Sequence, residues 1–294
     1  MVNCVTLMLS SRAVLFAAML VFACDDTGSR SRTVPADAGG DASAISICDG
    51  SADIRLAIRI AGGGPGSAGM TMLSENGFRL LLIDGACDAW ILNGHNDPLR
   101  ILSVSRAREQ QLIAALRLGH WGEISTFPGG GCADAPAIAY RFADERISGP
   151  VCGLANDHPL HTLNEAFAQQ VQELYAAGTP VSGKVRYLLI EDNGEARLDA
   201  RRPFIWQLNI PADAVPLSKE EATFYRGGNS QQATGTDAER LRGIRTTTAN
   251  GTLPNGTTLD FTTIAGPDNT LYLLYIRDAL PFEDDSGLLP PTTF

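Results

Sequence analysis

Lysine is nearly missing from this chain. Of 23 basic side chains only Lys184 and Lys219 are lysines, so no polybasic patch is visible along the sequence. Basic residues are also outnumbered, 23 against 33 acidic ones, for a formal charge of −10. That balance argues against a nucleic-acid partner, because neutralising phosphates requires clustered cations and an acidic field opposes it. Long apolar runs are absent too. Ala13 to Ala23 is an apolar run of eleven residues, whereas a helix needs about 20 to cross the hydrocarbon of a bilayer. Histidine occurs four times. There is no G-x-S-x-G elbow, no S-x-x-K, no H-E-x-x-H and no EF-hand loop, which removes the common envelope hydrolases as first expectations while leaving other enzymes open.

What is present begins at the amino terminus. Arg12 precedes the apolar run, and small Ala23 ends it directly before Cys24. A charge, a short apolar core and a small residue at the cut form the secretory pattern. Val5 to Leu9 stand awkwardly ahead of the charge, and a start at Met8 rather than Met1 regularises the leader. Val21-Phe22-Ala23-Cys24 resembles the lipobox of bacterial lipoproteins. The resemblance implies cleavage before Cys24, acylation of that residue, and a protein held to a membrane outside the cytoplasm. The plainer alternative is an ordinary secretory signal with Cys24 merely near the cut. One acyl chain binds a bilayer only marginally, so stable anchoring rests on the several chains expected at a lipobox cysteine.

Loss of residues 1–23 removes one Arg and no acid, leaving 22 basic and 33 acidic side chains and a formal charge of −11. Of six cysteines, Cys4 lies in the leader and Cys24 is taken by lipid. Cys48, Cys87, Cys132 and Cys152 remain. An even number in an exported chain reads as a disulfide framework, with three possible connectivities. The sequential pairing, Cys48 with Cys87 and Cys132 with Cys152, is favoured because each pair brackets a hairpin-rich segment. A thiolate metal site is the alternative, but the chain has no C-x-x-C spacing.

Residues 24–47 form a polar tether, poor in large apolar side chains and unable to bury enough surface to offset ordering entropy. Beyond it, Ile54, Leu56, Ile58 and Ile60 alternate with Arg55, Ala57, Arg59 and Ala61, the period of a strand with one buried face and the arginines in solvent. The glycine-rich run up to Gly69 lacks the Lys-Ser/Thr of a phosphate loop and reads as a turn. Phe78–Ile83 and Ala86–Leu92 form a hairpin over Asp84-Gly85; Leu99–Val104 extends the meander. Ser105 caps a helix with Leu112, Ile113 and Leu116 on one face. Ala137–Phe142 is a strand. Thr162-Leu-Asn-Glu165 reads as a capping box opening a helix with the stripe Leu163, Phe167, Val171 and Leu174. Lys184–Ile190 is expected to pair with Ala196–Ala200 across Asn193-Gly194, and Phe204–Leu208 is a further strand. Thr236 caps a short helix to Ile244, and Thr258–Ile264 with Leu271–Ile276 closes the chain in a hairpin whose second strand is covered on both faces. The expected fold is α+β, mainly antiparallel sheet in hairpins and meanders with two or three helices, stapled by disulfides. The expected parts are a signal peptide at 1–23, the tether, an α+β region at 48–200 with the four cysteines, and a β-rich region at 201–294, either separate or part of the same domain.

Candidate chemistry is sparse. Asp157, His158 and His161 could supply three zinc ligands with a fourth position for water, although residues of these types ahead of a helix more often serve as caps. Glu283, Asp284 and Asp285, with Asp278 shortly before, offer hard oxygens for calcium, against the plain reading of a solvated loop in an acidic protein. His95 and His120 read as structural. Trp90 and Trp206 lie in apolar strands and read as core, with a sugar-binding platform as the alternative also open to Trp121.

The lipobox, the Asp/Gly/Ser/Ala tether and the opening Cys48-Asp49-Gly50-Ser51 resemble the uncharacterised envelope lipoproteins of myxobacteria, a likeness that brings no activity with it. The expected function is a lipid-anchored binding or structural module of the cell envelope. It would carry no cofactor and bind no nucleic acid, and its protein or glycan partner is unspecified. The rival is a metal-dependent hydrolase of envelope or extracellular polymers using Asp157, His158 and His161.

Overall fold

The strand β1 (Ile54–Ala61) is an interior strand of the first sheet, where Ile58 pairs with Leu81 on one side and Tyr140 on the other. The computed structural model describes residues 45–61, 71–72, 75–94, 97–124, 136–150, 155, 157–192, 204–205, 215–223, 225, 228, 230–248, 262–265 and 271–294. Leu56, Ile58 and Ile60 are buried on one face of β1, as their alternation predicts. Its neighbours are β2 (Arg79–Asp84), β3 (Asp88–Leu92), β4 (Arg100–Ser103), β5 (Ala137–Phe142), β6 (Glu145–Pro150) and the two-residue β7 (Thr179–Pro180). The order β6-β5-β1-β2-β3-β4-β7 is antiparallel throughout.

Two helices cover that face. In α1 (Arg106–Ala115) the Ser105 side chain accepts from the Arg108 N–H, as the capping rule predicts. Helix α2 (Pro159–Ala177) buries Leu163, Phe167, Val171 and Leu174 against Leu81, Ile83 and Ile91. The expected stripe is present, but the helix starts ahead of the expected capping box. His158 is the N-cap, its Nδ1 accepting from the Leu160 N–H at 3.2 Å. Pro159 occupies the first helical position, where its fixed φ suits the helix and its missing N–H costs nothing. Thr162 therefore sits within the first turn.

The opposite face of the sheet corrects another expectation. Ala57 is fully buried there, clustered with Leu80, Leu82 and Trp90, and Leu280 and Leu289 close over them. Arg59 is half-buried rather than solvated, its guanidinium 4.1 Å from the centre of the Phe294 ring. The cause lies more than 200 residues away in sequence, where the carboxyl-terminal segment returns across this face.

The second sheet has the order β10-β8-β12-β11-β9. It comprises β8 (Val185–Asp192), β9 (Phe204–Ile205), β10 (Gln231–Ala233), β11 (Thr262–Ala265) and β12 (Leu271–Asp278). The β9–β11 pairing is parallel and the others are antiparallel. β12 is covered on both faces, as its unbroken apolar run predicts. Leu274 and Ile276 pack with Ala238 and Leu241 of α4 (Gly235–Thr248), while Tyr275 packs with Met72 and Tyr225 on the other side. The short helix α3 (Lys219–Thr223) completes the four α-helices among the described residues, and the fold is α+β with mainly antiparallel sheet. The expected partner of β8, residues 196–200, lies outside the described residues. The edges of β8 are taken by β12 on one side, and by β10 and a bridge to Leu217 on the other. Because β8 pairs with β12, this sheet draws strands from both sides of residue 200, and residues 44–294 form one compact unit.

Candidate functional site

Two polar assemblies stand out in an otherwise apolar architecture. The first lies where the chain enters the fold. Ile47 is fully buried in the main core. Glu109 lies on the same α1 face as Leu112 and Leu116, three and seven residues on, and is 5 % exposed. Its Oε1 accepts from the Ser46 hydroxyl at 2.7 Å, the Ile47 N–H at 2.7 Å and the Cys48 N–H at 2.9 Å. Burial pushes the Glu109 carboxyl up, but the Cys48, Ser46 and Ile47 donors, with Arg106 nearby, outweigh it and hold the group below the usual carboxylate range.

Cys48 is bonded to Cys87, with Cα atoms 5.1 Å apart, so one expected bridge is present. Cys132 and Cys152, like Cys24, lie outside the described residues. Cys87 closes the β2–β3 turn in the left-handed region, φ 72°. In the same turn Gly85 leaves no room for a Cβ beside Asp49 and Ser51, so glycine lets the incoming chain lie close against the turn. The ligating atoms of Cys48, Cys87 and Glu109 lie within 4.8 Å of one another. Here the sulfurs are spent on the disulfide and the carboxylate on its three donors.

The second assembly lies between the sheets. Arg277 of β12 is 8 % exposed, and its Nη2 donates to Glu75 Oε2 at 2.6 Å and to the Gly287 carbonyl at 2.7 Å, while Nη1 reaches Glu283. Asn76 donates to Glu283 at 2.7 Å and accepts from the Leu289 N–H at 3.0 Å. Arg186 of β8 donates to the carbonyls of Asp284, Asp285 and Ser230 at 2.7, 2.9 and 3.2 Å. Burial lowers Arg277, yet the facing carboxylates of Glu283 and Glu75 dominate and hold its guanidinium above the ordinary value. Beside it, Asp278 accepts from Arg242 at 2.8 Å, and from Arg245 and the Leu99 N–H at 2.9 Å. A cleft next to this cluster, bordered by Asn76, Leu99, Arg277 and Asp278, has room for about one water.

The acidic cluster is thus no solvated loop at Glu283 and Asp278, whose side chains are 1 % exposed. Their oxygens face arginines from β8, β12 and α4. Asp284 caps its own loop through Ser286 and the Leu288 N–H, contacts that lower its carboxyl. In the histidine cluster, His158 spends Nδ1 on the helix cap, and His161 lies 3.7 Å from Glu165 on a half-exposed face. Asp157, His158 and His161 are not brought together as a ligand set among the described residues. Trp90 packs edge-on against Phe282, centroids 4.8 Å apart, and Trp121 is buried against Tyr140, both as core. His120 precedes a 3-10 turn, 3.3 Å from Glu123. His95, Trp206 and the glycine-rich run at 62–69 fall outside the described residues.

Sequence reasoning missed Glu75, Asn76, Glu109, Arg186 and Arg277. A signal existed for three: Arg186 and Arg277 interrupt apolar strands, and Glu109 sits on the apolar stripe of α1. No protein-family model, no curated protein and no solved structure matches the chain.

Proposed function

We propose that the protein is a lipoprotein of the bacterial cell envelope, processed before Cys24, acylated there, and presenting residues 44–294 as a binding or structural module. The observation that supports this best is the build of the junction, where Glu109 and the Cys48–Cys87 bridge fasten the first residues of the fold to α1 and to the β2–β3 turn. A module held by its amino terminus transmits every displacement of the tether through that point, and two independent fastenings there suit such a role. The 20 residues from Asp25 to Ala44 reach at most about 70 Å when extended, enough to let the module work away from the bilayer. The bridge also suits an oxidising compartment.

Mass spectrometry of the mature amino terminus tests the reading. A thioether-linked diacylglycerol and an N-acyl group on Cys24 are expected, whereas an unmodified Cys24 or an uncleaved leader overturns it.

A further inference from the structure

A carboxylate oxygen of Glu109 lies within 4.8 Å of both sulfurs of the Cys48–Cys87 bridge. The hydrogen bonds from Ser46, Ile47 and Cys48 all go to Oε1 and leave the negative charge in place. With Arg106 nearby they hold the group ionised, below the usual carboxylate range. Other acids stand close by. Each cysteine is followed in sequence by an aspartate, Asp49 or Asp88. Asp84 lies across the turn, its Oδ1 accepting from the Asp88 N–H at 2.9 Å. Arg55 is drawn to Asp49 at 3.1 Å.

Burial does not shield the bridge, because Cys48 and Cys87 are only half-buried against the main core. Its backbone setting favours reaction. The Val104 N–H donates to the Cys87 carbonyl at 2.8 Å, which sets the bridge beside the start of α1, and a helix N-terminus stabilises a thiolate. Glu109, in the first turn of that helix, opposes the effect. Reduction begins when a thiolate attacks one sulfur. The S–S bond breaks as the new bond forms, and the other sulfur leaves as a thiolate that takes a proton from water. A second thiolate then displaces the protein sulfur from the mixed disulfide, and the two reductant molecules end joined as their own disulfide. The entering and the leaving sulfur are both anionic, and both stand within reach of the Glu109 charge.

We propose that Glu109, besides capping the junction, is an electrostatic guard of the Cys48–Cys87 bridge that closes it to anionic thiol reductants. A half-exposed disulfide thereby becomes a lasting staple instead of an exchangeable one. The guard does not depend on acylation of Cys24.

The test uses the whole purified protein in its oxidised form. Mercaptoethanesulfonate, 2-mercaptoethanol and cysteamine serve as thiols of graded charge, compared at equal thiolate concentration. Alkylation followed by peptide mass spectrometry reads Cys48 and Cys87 individually. In the unsubstituted protein the rate should rise from the sulfonate to the ammonium thiol, most steeply at low salt. Glu109→Gln should speed reduction by 2-mercaptoethanol about tenfold and flatten the charge series by about threefold or more. Ser46→Ala removes one donor from Glu109 but keeps its charge, and should leave the slope of the series in place. Unchanged rates in Glu109→Gln overturn the proposal. So does a rise by one common factor for all three thiols, which would mean that the substitution merely loosens the junction. If Glu109→Gln does not fold, the oxidised unsubstituted chain is compared folded and in urea, and a charge series no steeper in the folded protein overturns the guard.

Discussion

Glu109 Oε1 lies 2.7 Å from the backbone nitrogen of Ile47, a residue 62 positions earlier in the chain. A helix side chain thereby caps the first buried residue of the fold. Glu109→Gln keeps the shape but loses the charge, and roughly 1–2 kcal/mol of stability should go with it in urea titrations. The Glu109 carboxyl is held below its ordinary value of 4.5 when folded, so its contribution is complete above the unfolded value and is lost as pH falls through the folded one. The gap between wild type and Glu109→Gln should therefore narrow below pH 4.5.

The Cys48–Cys87 bridge closes a loop with a sequence separation of 39. Opening it should cost about 4 kcal/mol by the chain-entropy relation. Cys48→Ser with Cys87→Ser should lower the guanidinium midpoint accordingly, and peptide mapping without reductant should recover Cys48 and Cys87 in one linked species.

Arg277 is shared between Glu75 and Glu283 in a nearly water-free setting, with Arg186 as a second cation 3.4 Å from Glu283. Arg277→Met should destabilise by about 3 kcal/mol, because it removes the cation shared by two buried carboxylates, of which Glu283 keeps Arg186 at 3.4 Å and Glu75 keeps only neutral donors from Tyr225 and Gly228. Adding Glu75→Gln and Glu283→Gln should recover part of that loss. Additive losses in chemical unfolding would show that the three side chains do not act as a unit.

His158 serves α2 as a cap through Nδ1. His158→Ala should cost about 1 kcal/mol in thermal unfolding, and His161→Ala less than about 0.5 kcal/mol, as for other exposed sites. Elemental analysis of the purified protein separates this from zinc chemistry: stoichiometric zinc lost in both variants would favour the hydrolase reading.

Much of the local structure was legible because it follows from periods and caps. The alternation in β1, the α2 stripe, the Ser105 cap and the two-sided burial of β12 depend on residues a few positions apart. Two departures from the sequence reading share one cause. Arg59 was read as solvated and Glu283 as a loop acid because the groups that cover them, Phe294 for one and Arg277 for the other, meet them only through tertiary packing. The α2 start was misjudged differently, since a Thr-x-x-Glu pattern competed with Pro159 and the proline lay closer to the true boundary.

The amino-acid order alone determined the α+β class, the positions of most strands and helices, and the net acidic charge, because short-range periodicity and composition act without reference to distant residues. Only the tertiary structure decided that Glu109 holds the junction, that β8 and β12 share a sheet across residue 200, and that buried arginines meet Glu75, Glu283 and Asp278. Each depends on strand register and chain return, which bring together residues that no local pattern relates.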